Sequence, residues 1–143
     1  MPQAQRSVVI DRPVEEVFAF FADPANDLRW RPSIKEVAAQ GPPGVGAKVH
    51  QVVAGPGGRG IAADFEVTAY EPPSRYAFRV TAGPVRPVGE YRFSPFDGGT
   101  EVTFSLSAEL SGLKKLVMSS SVQKSMAGEM KALDSAKRLL ELG

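Results

Sequence analysis

Apolar residues recur at every second position through the middle of the chain and at helical spacing at both ends. In FEVTAYEPPSRYAFRV, residues 65 to 80, Phe65, Val67 and Ala69 point one way, and after the double proline Tyr76, Phe78 and Val80 share a side. This period of two predicts strands near 34–40, 47–54, 60–71, 75–82, 88–96 and 100–110. GPPGVG at 41–46, GPGG at 55–58, EPPS at 71–74, GPVRP at 83–87 and DGG at 97–99 separate them, and such clusters favour turns. Short connections between consecutive strands imply an antiparallel meander.

Residues 6–11, RSVVID, read as an earlier strand. Asp11 is then a candidate helix cap, Pro13 suits the first turn, and Glu15 and Glu16 complement the helix dipole. Val14, Val17, Phe18 and Phe21 form the apolar stripe of a helix that Asp23-Pro24 ends. A second short helical turn is expected over 24–29. From about Gly112 to Leu142 the helical period returns. Leu113, Leu116, Val117, Met126, Met130, Leu133, Ala136 and Leu140 are expected on or near one face, with a weak point at Ser119, Ser120 and Ser121. The order predicts an α+β fold: a curved antiparallel sheet of seven strands covered by one long C-terminal helix, with two short helices between the first two strands.

Composition narrows the function classes. The 143 residues, 43% apolar and 23% charged, suit one globular domain over 1–143. The net charge of +1 is spread along the chain, which favours neither a nucleic-acid nor a membrane partner. Without cysteine there is no disulfide framework or thiolate site, a composition compatible with the cytoplasm. No stretch resembles a signal peptide or a membrane span.

The alternation also specifies what the concave face offers. Val49, Gln51, Phe65, Val67, Tyr76, Phe78, Tyr91, Phe93, Phe104 and Leu106 are expected inward, joined from the long helix by Met126 and Met130. Tyr76, Tyr91 and Gln51 are the main polar groups of this face, and the strands bring no acid or base to it. That disfavours hydrolytic and metal chemistry, which need titratable groups or ligands within reach. It suits a dry core or an apolar pocket with a few orienting hydroxyls. Small residues at Ala47, Ala63, Ala82, Gly89 and Ala108 would enlarge such a pocket.

Several residues invite sharper readings. His50, the sole histidine, is expected to face water. The glycines of GPGGRG match no phosphate-binding pattern and read as a hairpin. Trp30 either packs beneath the short helices or lines an entrance. Arg29 and Arg31 are expected to be solvated rather than to meet an anionic head group. Met118 is a weaker pocket candidate than Met126 or Met130, and Asp64 with Glu66 would face inward only if a bulge reversed the register.

IDRPVEEVFAFFADPAN at 10–26, Trp30 followed by PSIKEV, VGAK at 45–48, YEPPSRYAFRV at 70–80 and GEYRFSPFDGGTEVTFSL at 89–106 together resemble the START-like, or SRPBCC, superfamily. The similarity is greatest to its polyketide cyclase/dehydrase-like branch. The resemblance covers nearly the whole chain and implies a helix-grip fold with a pocket between the long helix and the sheet. It says little about activity, because the superfamily includes carriers, hormone-binding proteins and cyclases. The expectation is a protein, monomer or homodimer, that binds a small hydrophobic or amphipathic molecule, lipid-like or aromatic, without a cofactor or metal. Trp30, Val49, Gln51, Phe65, Val67, Tyr76, Phe78, Tyr91, Phe93, Phe104, Leu106, Met126 and Met130 are the candidate ligand-binding residues. A cyclase or dehydratase using the same pocket, and an interaction module with a filled core, are the alternatives.

Overall fold

The computed structural model describes residues 2–143. The strands are β1 (Gln3–Ile10), β2 (Ile34–Ala39), β3 (Lys48–Ala54), β4 (Gly60–Ala62), β5 (Phe65–Glu71), β6 (Arg75–Val80), β7 (Val88–Phe96) and β8 (Gly99–Ser107). The helices are α1 (Val14–Ala22), α2 (Asp27–Trp30) and α3 (Gly112–Leu142), with a 3-10 turn at Pro24–Asn26 leading into α2.

The antiparallel sheet runs β1-β8-β7-β6-β5-β3-β2, a path of seven strands that curls into a half-barrel. The expected strand over 60–71 is broken at Ala63 and Asp64, so the short β4 pairs on β3 off this path. Asp97 and Gly98, both at positive φ, join β7 to β8 as a two-residue hairpin loop, with Phe96 opposite Gly99.

Most predicted inner positions of the central strands are buried, whereas Phe78 on β6 is only partly so. Phe65, Val67, Ala69, Tyr91, Phe93, Val102, Phe104, Leu106 and Ala108 all lie within the core. Their alternates meet water and pair there: Arg75 with Glu90 at 2.6 Å, Arg92 with Glu90 at 2.7 Å and Arg79 with Glu66 at 2.8 Å.

Asp11 does not cap α1. Pro13 takes the cap position without a side-chain bond, and the Asp11 backbone N–H is instead satisfied by Glu141 Oε2 at 2.9 Å. Asp11 and Arg12 serve the end of α3: Arg12 Nε donates to the Leu140 carbonyl at 2.7 Å, supplying a cation where the helix ends in unpaired carbonyls.

The apolar face of α3 differs from the expected one. Met126, Met130, Leu133, Ala136 and Leu140 are buried against the sheet, and Met118 and Val122 continue the same stripe. At about 100° per residue, Leu113, Leu116 and Val117 fall on the far side of the helix. They are 75%, 85% and 69% exposed. The serine run at 119–121 does not interrupt the helix.

Candidate functional site

Between the concave sheet and the middle of α3 lies a cavity of about 260 Å³. Phe65, Tyr76, Phe78, Tyr91, Phe104 and Leu106 form its sheet wall, and Met118, Val122 and Met126 its helix wall. Pro84, Val85 and Pro87, from the β6–β7 connection, border it beside the first half of α3. A larger open groove of about 760 Å³ runs over the sheet's outer surface past Arg75, Glu90 and Ser105. It is a solvated depression, whereas the interior hollow has convergent apolar walls and a polar end, the features that small-molecule sites share.

Eight of the thirteen residues expected to meet a ligand border this hollow: Gln51, Phe65, Tyr76, Phe78, Tyr91, Phe104, Leu106 and Met126. Trp30, Val49, Val67, Phe93 and Met130 do not. They are buried in the surrounding core, where Trp30 packs edge-on to Phe21 at 5.3 Å and Phe93 edge-on to Phe18 at 5.3 Å. The helical stripe drifts past the hollow, which puts Met118 on it and Met130 beyond it. Gly89 does not enlarge the space either. A Cβ there would lie 2.4 Å from Phe78 Cζ, so the missing side chain is the seat of the Phe78 ring.

The charged groups of the polar end come from outside the strands. Arg31, directly after α2, has a side chain only 14% exposed. Its Nε donates to Glu129 Oε2 at 2.8 Å, and Nη1 donates to Asp27 Oδ2 at 3.2 Å and to Gln51 Oε1 at 3.0 Å. The expectation of a solvated Arg31 is therefore wrong: two carboxylates compensate its burial, as a desolvated guanidinium requires. Ser33 Oγ donates to the other Glu129 oxygen. Gln51 spends its amide on this assembly, accepting from Arg31 and donating through Nε2 to the Ala63 carbonyl at 3.2 Å.

Burial sets the protonation of this cluster against its charges. It pushes the Asp27 carboxyl up to about 6, with Arg31 pulling it down and Glu129 pushing it further up. Burial also drives Glu129 up, but the Arg31 charge and the bonds from Arg31 and Ser33 prevail and hold it below its ordinary value. Tyr76 and Tyr91 are pushed upward, chiefly by burial, so both remain protonated donors. Neither hydroxyl bonds to another described residue, and Trp30 Nε1 is the only buried side-chain polar atom without a partner among those residues. The two hydroxyls therefore border accessible space.

The remaining candidates stay outside. His50 faces water, with Nδ1 3.0 Å from Asp64 and Nε2 3.6 Å from Glu36. Asp64 also accepts the Gln51 backbone N–H, and Glu66 pairs with Arg79, so neither acid enters the hollow. Arg29 bonds Asn26 at the surface.

Sequence signals for the missed cluster existed. Asp27 and Arg31 have the i, i+4 spacing of a helical ion pair, and Glu129 falls on the buried arc of α3 between Met126 and Met130.

The profile of the family described as polyketide cyclase / dehydrase and lipid transport matches residues 1–141. The chain belongs to this family. An uncharacterized protein of Mycobacterium tuberculosis is 33% identical over 102 residues, 68% of this chain, and the chain covers 60% of that relative's length. The crystal structure of TTHA0849 from Thermus thermophilus superposes with a TM-score of 0.81 at 19% identity, covering 96% of this chain and 95% of that one. A START superfamily protein from Mycobacterium smegmatis gives 0.77 at 17% identity, covering 98% and 97%. These likenesses establish the START-like, helix-grip fold. Among the described residues, no helix is long and apolar enough to cross a membrane.

Proposed function

We propose that this member of the polyketide cyclase / dehydrase and lipid transport family binds a small hydrophobic or amphipathic molecule in the cavity between the sheet and α3. One observation carries the reading. The walls are aromatic and aliphatic, while unpartnered hydroxyls and a buried charge cluster converge at one end. Burial of an apolar ligand body supplies affinity at about 25 cal/mol per Å² before the costs of association. A volume of about 260 Å³ suits a compact molecule or one section of a longer one. Native mass spectrometry of the purified protein, with thermal shifts across aromatic and aliphatic ligands, tests this. A co-purified mass or a saturable shift is expected; no mass and no shift from any apolar ligand overturns it.

A second reading, a cyclase- or dehydratase-type enzyme, is favoured by Asp27. Its carboxyl borders the cavity with a pKa raised to about 6, the range in which a general acid or base is effective near neutrality. Asp27→Asn distinguishes the readings. It abolishes turnover of a cyclisable poly-β-ketone if the protein is an enzyme, and leaves binding of an uncharged inert hydrocarbon intact in either case.

A further inference from the structure

The Arg31 guanidinium carries five N–H donors. Nε and the two protons of Nη1 are engaged by Glu129, Asp27 and Gln51, and no described residue accepts from Nη2. Nη2 is not among the buried unpartnered atoms, so it lies on accessible space, and Arg31 borders the cavity. The polar end thus presents a fixed donor from Arg31 together with the Tyr76 and Tyr91 hydroxyls. The charge there is not positive. Among the described residues, Asp27, Arg31 and Glu129 are the only charged side chains lining the hollow, two acids to one base.

We propose that this end recognises a neutral carbonyl oxygen, as in a ketone, ester, amide or quinone, and discriminates against a carboxylate of the same shape. This rests on the ligand-binding reading above and names the chemical class of the ligand. A carbonyl accepts from Arg31 Nη2 and adds no charge. A carboxylate accepts the same bonds but gives up its hydration to stand beside two acids whose shared cation is already committed. A hydrocarbon leaves the donors unsatisfied in a desolvated site.

Matched ligands test the class. On a naphthyl scaffold, 2-acetylnaphthalene, 2-naphthoate and 2-ethylnaphthalene are titrated at pH 8 by displacement of Nile red. On a nonyl scaffold, 2-undecanone is set against decanoate. The ketone is expected to bind at least about tenfold more tightly than the acid on whichever scaffold fits, and several-fold more tightly than the hydrocarbon. Glu129→Gln or Asp27→Asn, whichever retains the native circular dichroism, removes one negative charge and is expected to narrow the ketone-to-acid ratio about tenfold. An acid that binds as well as the ketone, or a hydrocarbon that matches it, overturns the carbonyl assignment while leaving the binding reading intact. Failure of every ligand on both scaffolds overturns the binding reading and the assignment with it.

Discussion

Arg31 Nε donates to Glu129 Oε2 at 2.8 Å, which ties the end of α2 to the middle of α3 across 98 residues of sequence. The bond fixes the polar end of the cavity and anchors the middle of α3 to the end of α2. Removing one partner leaves the other charged and desolvated. Arg31→Met is expected to cost about 3–5 kcal/mol in urea unfolding, and the double variant Arg31→Met/Glu129→Leu to recover part of that loss. Equal losses in both would remove the pair from the account of stability.

The same cluster predicts how stability varies with pH. Asp27 has a pKa of about 6 in the fold against 3.8 when unfolded, so folding favours its protonated form. Its contribution, on the order of 3 kcal/mol, is complete below the unfolded value and lost as pH rises through about 6. Glu129 is shifted the opposite way; its contribution holds above 4.5 and declines only at more acid pH. Melting temperature is therefore expected to fall between pH 4.5 and 7, and Asp27→Asn to flatten that slope. An Asp27→Asn profile parallel to the wild type would refute the assignment.

Gly89 determines where the Phe78 ring rests. A methyl group at this position would lie 2.4 Å from Phe78 Cζ and 2.9 Å from Leu106 Cδ2. Gly89→Ala is expected to push the ring into the cavity, costing about 1–3 kcal/mol and weakening any apolar ligand more than it lowers stability. Calorimetric titration beside thermal unfolding separates the two effects. Unchanged affinity would show that the ring finds room elsewhere.

The two faces of α3 respond differently to truncation. Leu133 is fully buried and Leu116 is 85% exposed. Leu133→Ala is expected to cost about 2–5 kcal/mol through lost contact and a residual void, while Leu116→Ser stays within about 0.5 kcal/mol. Comparable losses at the two sites would contradict the observed orientation of the helix.

Much of the architecture was legible because it depends on local periodicity. The alternation through 65–71 and 100–107 named the buried side chains of β5 and β8, and Asp97-Gly98 marked its hairpin. The phase of a long helix is harder to read. Leu113, Leu116 and Val117 are apolar and helical, yet they lie away from the stripe that Met118 and Val122 begin. The broken strand at Ala63-Asp64 was hidden because each half alternates correctly by itself.

The sequence alone determined the order of elements, the inner face of the sheet and the family, since each follows from neighbouring residues and their spacing. Tertiary structure decided which polar groups face the hollow and how much of it stays open. Arg31 and Glu129 acquire their meaning only when α2 meets α3, because burial, and with it the value of a charge, is created by residues distant in the chain. Gly89 likewise reads as empty space until β6 lies beside β7 and brings the Phe78 ring over it.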